Sequence, residues 1–89
     1  MKSNLFLEKA NKLVEGERSK DYGDKVINHT NIAKLWSAYT GTDIDAHDVA
    51  IMMALLKIAR TKLGKVSEDS YIDMAAYCAI AGEIKSRET

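Results

Sequence analysis

The chain has 89 residues, 46% hydrophobic and 29% charged, a balance that excludes a disordered chain and allows one globular domain, residues 1–89. Its 13 basic and 13 acidic side chains give a net charge of zero, which argues against a duplex-DNA binder and against electrostatic attraction to a membrane. The single cysteine excludes disulfides, and with two histidines it is too small a set for a tetrahedral zinc site.

The N-terminal part of the chain predicts a cytoplasmic protein. It has no apolar stretch long enough for a signal peptide, and no segment approaches the ~20 apolar residues of a membrane span. A first helix is predicted from Asn4 to Val14, with Ser3 as its N-cap. Residues 15–24 form the longest stretch without helical periodicity, so we expect a loop there.

The second helix is predicted from Lys25 to Tyr39, with Asp24 as its N-cap and Gly41 at its end. Helical spacing predicts a buried stripe along it, made of His29, Ile32, Leu35, Trp36 and Tyr39. Two further helices are predicted, one at residues 46–63 with Asp45 as its N-cap and Gly64 at its end, and one at residues 68–85. The whole pattern predicts an all-α fold of four helices.

The third and fourth helices are joined by a short connection, which predicts an antiparallel hairpin. Each is apolar on nearly every side: Lys57 is the only charge between residues 49 and 59, and Asp73 is the only charge between 71 and 81. Such a helix is buried on more than one side. We therefore expect a homo-oligomer, a dimer at minimum, with both helices in its interface. Met52 and Cys78 are expected in the core.

The hairpin is also expected to bring four charged side chains together. Lys57 and Asp73 lie at equal distances from the turn and should therefore face one another. Arg60 and Asp69 are paired in height in the same way, one helical turn nearer the loop. One interpretation is a structural ion-pair network. The other is a ligand site, in which Lys57 and Arg60 hold a phosphate while Asp69 and Asp73 bind Mg²⁺.

The loop and the second helix supply further candidates for a ligand site: Lys20, Tyr22, Asp24, His29 and Trp36. Lys20 would contact phosphate, Tyr22 and Trp36 would stack on a base, and His29 would contact the ligand beside the loop. The structural alternatives are a core role for His29 and Trp36, packing of Tyr22 over the end of the core, and helix capping by Asp24.

Three stretches carry a family resemblance: SKDYGD at 19–24, NIAKLWSAYTG at 31–41, and DVAIMMALLKIAR with EDSYIDMAAYCAIAGEI at 48–60 and 68–84. Over residues 18–84 the chain resembles a family of small helical proteins found mainly in phages and prophages. More distantly it is similar to a nucleotide-modification-associated domain of phage genomes and to the all-α NTP pyrophosphohydrolases of MazG type.

The MazG resemblance implies an ExxE on one helix and an ExxD on the next, which hold Mg²⁺ against a triphosphate. This chain has no ExxE, and its last helix offers Glu68, Asp69 and Asp73 instead. Because such catalysis needs several carboxylates, the first hypothesis is non-catalytic binding of a nucleotide, cyclic nucleotide or other phosphate-bearing ligand, in nucleotide metabolism or in sequestering a host defence signal. The alternatives are a MazG-like Mg²⁺-dependent pyrophosphohydrolase and a non-catalytic protein-interaction module.

Overall fold

A computed structural model describes residues 1–16, 24–62, 64 and 67–87 of the chain. Its helices are α1 (Ser3–Glu15), α2 (Lys25–Thr40), α3 (Ala46–Arg60) and α4 (Glu68–Arg87). No strand occurs in these ranges, so the predicted all-α fold of four helices is confirmed. None of the four helices combines the length and the apolar character that crossing a membrane requires.

Two predicted N-caps are confirmed. The Asp24 carboxylate accepts hydrogen bonds from the backbone amides of Val26 (2.7 Å) and Ile27 (3.4 Å) and so begins α2. At α3, Asp45 accepts from the Asp48 amide (2.7 Å) and the Asp48 carboxylate accepts from the Asp45 amide (3.1 Å), a reciprocal capping box. These bonds satisfy amides that have no partner inside the helix.

The predicted end of α2 is also confirmed. Gly41 has a φ of 72°, and its amide donates to the Ser37 carbonyl (2.9 Å). Only glycine adopts this left-handed conformation without a steric cost from Cβ. The chain therefore leaves the helix at this residue.

Three other helix ends differ from the prediction. The residue before α1 is Lys2, which makes no side-chain capping bond, and Ser3 is already helical. Helix α3 ends at Arg60 rather than near Gly64, because the Thr61 hydroxyl donates to the Ile58 carbonyl (2.7 Å) in a tight final turn. Helix α4 continues to Arg87, whose positive charge in the last turn favours helix continuation.

The α3–α4 pair is the predicted antiparallel hairpin. Ala50 of α3 packs with Ala81 and Ile84 of α4. Nearer the C-terminal end of α3, Lys57 forms an ion pair with Asp73. The residue numbers of these contacts rise on α3 as they fall on α4, which identifies the antiparallel direction. Helix α1 packs on α4, and α2 packs on α3.

The core is made mainly of small side chains. Its buried hydrophobic members are Ala10, Ala33, Val49, Ala50, Ala54, Ile72, Ala76, Ala81 and Ile84. Many larger apolar side chains lie outside, including Leu35 and Tyr39, which were predicted to be buried, and Met52, which was predicted to be core. Cys78 is exposed as well, contrary to the prediction. Periodicity identified these apolar positions correctly, but none of the four helices in the described residues covers them.

Candidate functional site

Lys57 and Asp73 form the central charged pair of the hairpin. The Lys57 Nζ atom lies 3.1 Å from Asp73 Oδ2, and the two side chains are only 14% and 17% exposed. The prediction that they face one another is confirmed. Burying either charge alone would cost free energy, so each side chain of this pair compensates for the burial of the other.

The other two charged residues of the predicted cluster are not part of this ion pair. Arg60 and Asp69 are exposed, and no ion pair joins them within the residues that the structure describes. Glu68 instead lies 3.7 Å from the N-terminal amine of Met1. Glu68, Asp69 and Asp73 all belong to the described residues. Their carboxylate oxygens do not lie close enough to one another for the three residues to share a metal ion.

His29 is buried on α2 and has structural partners. Its side chain is 6% exposed, its Nδ1 atom lies 2.7 Å from the Lys25 carbonyl, and its ring meets the ring of Tyr77 edge-on with centroids 6.4 Å apart. Trp36 on the same helix is half-buried. The structural interpretation of His29, as a core residue with its polar needs met, fits these contacts.

Two predicted loop residues, Lys20 and Tyr22, lie outside the described residues, so their roles remain predictions. Asp24, at the border of that loop, is committed to capping α2. The pKa of its carboxyl is lowered chiefly because the Val26 amide donates to the charged form, with further lowering by the Ile27 amide and by Arg87.

An ion-pair network around Asp24 was not predicted. Arg87 of α4 reaches both Asp24 (3.5 Å) and Glu83 (2.8 Å), and Lys25 of α2 lies 3.5 Å from Glu83. The four-residue spacing of Glu83 and Arg87 is a helical pairing signal that the sequence carries. The network ties the start of α2 to the end of α4, which is a structural role.

A second unpredicted group lies at the start of α3. The side chains of Asp45, His47 and Asp48 offer ligand atoms within 4.8 Å of one another. Both carboxylates already accept the capping-box hydrogen bonds.

An open groove lies beside this group. It has a volume of about 530 Å³ and is lined by Thr30, Ala33, Lys34, Ser37, Asp43, Ile44, Asp45 and Ala46. The Ser37 hydroxyl in this groove is satisfied by both backbone groups of Ile44.

The most extensive unusual surface is one side of α3, which we call the α3 outer face. It consists of Ile51, Met52, Leu55, Leu56, Ile58 and Ala59, all exposed. Leu55, at its centre, is 56% exposed. Spacings of three and four residues place these side chains on one continuous stripe, opposite the side that packs on α4.

The sequence pattern of the family described as "Domain of unknown function (DUF6378)" matches residues 5–85. The chain belongs to the DUF6378 family. The match covers all of α2 and α3 and nearly all of α1 and α4, so the family unit and the fold described above coincide.

Relatives of this DUF6378 chain occur in mycobacteriophages. It is 40% identical over 84 residues to the Gene 55 protein of Mycobacterium phage L5 and 43% identical over 82 residues to that of Mycobacterium phage D29. The alignments cover 93% and 92% of this chain and 54% of each relative, so the chain spans about half the length of the curated relatives it matches. No solved structure matches it.

These relationships confirm the predicted likeness to phage proteins. The finer parts of the prediction, the similarity to MazG-type enzymes and to nucleotide-modification domains, remain predictions. The DUF6378 description names no activity, and neither do the names of the Gene 55 proteins.

Proposed function

We propose that this chain is a non-catalytic, self-associating interaction module, and that a second copy of the chain covers the α3 outer face. The observation that carries the proposal is this face itself: five large aliphatic side chains of α3 are exposed between Ile51 and Ile58. Contiguous apolar surface of this kind, rimmed by polar residues, marks interaction sites in soluble proteins.

The energetics support association through this face. Fully burying a leucine, isoleucine or methionine side chain stabilises by roughly 1.5–3 kcal/mol, and five such side chains lie on the face. These five side chains are 37–56% exposed in the single chain, so a second surface would add to their burial. Association also has a substantial entropic cost, which a stripe of this size can offset.

The charged residues favour this function over catalysis or phosphate binding. Lys57 is already neutralised by Asp73, which leaves exposed Arg60 as the one predicted phosphate contact on α3 that is not paired within the described residues. Binding of a nucleotide or cyclic nucleotide, with or without Mg²⁺, remains a separate prediction. A thermal-shift series with these ligands tests it, because a ligand at a hundred times its Kd adds about 2.7 kcal/mol of stability.

Leu55→Glu tests the proposed function, with Leu7→Glu as the matched control. Both leucines are exposed, 56% on α3 and 64% on α1, so both variants are expected to keep the helical fold. Leu55→Glu would place a charge in the interface and should give a monomer by light scattering at micromolar concentration. Leu7→Glu should keep the mass of the unmodified protein. Equal masses for all three proteins would contradict a role for the α3 outer face.

A further inference from the structure

Resting on the proposed self-association, we infer that two copies of α3 pack antiparallel about a two-fold axis at Leu55, with Asp48 facing Lys62 of the partner subunit. In such an interface the same surface is used by both subunits, and each residue contact occurs twice. The α3 outer face carries a pattern that is self-complementary in one direction only.

The apolar positions are symmetric about Leu55. Ile51 and Ala59 lie four residues to either side of it, and Met52 and Ile58 lie three residues to either side. When a helix packs antiparallel against its own copy about Leu55, each of these positions meets its counterpart. Apolar side chains therefore oppose apolar side chains at Leu55 and at these four positions, while Leu56 lies outside the symmetric set because its counterpart, Ala54, is buried.

The charges at the two ends select the antiparallel direction. Asp48 lies in the first turn of α3 and Lys62 lies two residues past its end, seven residues to either side of Leu55, and both are exposed. An antiparallel pair brings Asp48 near the partner subunit's Lys62 twice, at both ends of the interface. A parallel pair would instead place like charges side by side, which disfavours association. Rim charges of this kind fix orientation and register more than they add affinity.

Distances along the helix make the arrangement testable with single cysteines. At ~1.5 Å per residue, Ile51 and Ala59 are separated by ~12 Å along the axis. In the antiparallel pair, Ile51 is therefore far from Ile51 of the partner subunit but level with the partner's Ala59. Leu55 is level with Leu55 of the partner subunit. A disulfide forms only when the two Cα atoms are less than ~7 Å apart.

The experiment uses the full chain with Cys78→Ser, because Cys78 is exposed and would otherwise cross-link. Leu55→Cys, Ile51→Cys and Ala59→Cys are made separately in this background and oxidised mildly. Leu55→Cys alone should yield a covalent dimer. Ile51→Cys alone and Ala59→Cys alone should yield little, while a mixture of these two should yield a heterodimer at least several-fold more abundant than either homodimer.

The outcomes separate the geometry from the proposed function. If Ile51→Cys and Ala59→Cys each cross-link to themselves as readily as Leu55→Cys does, the helices run parallel and the inference is overturned, while self-association stands. If all variants remain dimeric by mass yet none cross-links, α3 is not at the interface and the inference is equally overturned. A Cys78→Ser chain that is monomeric by mass before oxidation would overturn both.

Lys62→Glu provides an independent check of the same geometry without new cross-links. It would place two carboxylates together at each end of the interface, so the dimer Kd should rise roughly twofold to thirtyfold. Lys9→Glu is the matched control, since Lys9 is an exposed lysine of α1, the helix that packs on α4. An equal effect of the two substitutions, or an effect of neither, would contradict the pairing of Asp48 with Lys62.

Discussion

At the scale of single residues, burial accounts for the Lys57–Asp73 pair without a ligand, and two substitutions test this interpretation. The two charges lie 3.1 Å apart between packed helices. Lys57→Met alone would strand the Asp73 carboxylate and should lower the free energy of unfolding by about 3 kcal/mol, while Lys57→Met with Asp73→Leu should cost much less. Urea denaturation at a fixed protein concentration measures both.

Arg60→Met is the control for this series. Arg60 is exposed near the end of the same helix, so its replacement should change the free energy of unfolding by no more than ~0.5 kcal/mol. A double variant as unstable as the single Lys57→Met would show that the pair does more than neutralise two buried charges.

Asp24 gives the chain a predicted dependence on acid pH. Its pKa is lower in the folded chain than its ordinary value, so its charged form stabilises the fold above that ordinary value and the contribution is lost as the pH falls through the folded-state pKa. Asp24→Asn keeps a capping oxygen but removes the charge. The melting temperature of the variant should be lower than that of the unmodified chain at pH 7 and equal to it well below the folded-state pKa.

Asp43→Asn is the matched control for this pH series, because Asp43 is an exposed aspartate of the α2–α3 connection. It should leave the melting temperature unchanged at both pH values. A difference between Asp24→Asn and the unmodified chain that persists undiminished in acid would contradict the role of the Asp24 charge.

At the scale of the helices, a glycine-to-alanine substitution is expected to have opposite effects on stability at Gly41 and at Gly82. Gly41 ends α2 with a φ of 72°, and an added Cβ is strained there, so Gly41→Ala should destabilise by about 1–2 kcal/mol. Gly82 lies within α4, with open space where a Cβ would be, so Gly82→Ala should stabilise by roughly 0.5–1 kcal/mol. Thermal unfolding of both variants checks the pair, and effects of the same sign would contradict it.

Local chemistry explains which parts of the helices were predictable from the sequence. Asp24, Asp45 and Gly41 act through bonds within a few residues, so their roles were readable in advance. The early end of α3 was not predictable, because it depends on a hydroxyl-to-carbonyl bond of Thr61 that leaves no distinctive pattern in sequence.

Packing explains the remaining differences. The position of Lys57 opposite Asp73 followed from the symmetry of a short hairpin. The exposure of Leu35 and Tyr39 did not follow from their spacing, because periodicity identifies an apolar stripe but not the surface that covers it. Spacing alone also did not determine whether Arg60 and Asp69 would pair, and within the described residues they form no ion pair.

At the scale of the whole molecule, small residues lie inside and many large apolar residues lie outside, which is the reverse of a self-sufficient core. The proposed second copy on the α3 outer face would cover part of this exposed apolar surface. Self-association would also couple stability to concentration, since only the folded chain presents the face. The family relationship to phage Gene 55 proteins, which are nearly twice as long, is compatible with a module that acts by assembly.

Sedimentation equilibrium of the unmodified chain tests self-association most directly. The chain has a mass of 9.9 kDa, and the proposal predicts a species of about twice that mass at micromolar and higher concentration, which dissociates reversibly on dilution. A single species of 9.9 kDa at every concentration from about 1 μM to about 1 mM would contradict it, because even a weak interface of this kind would be populated in that range.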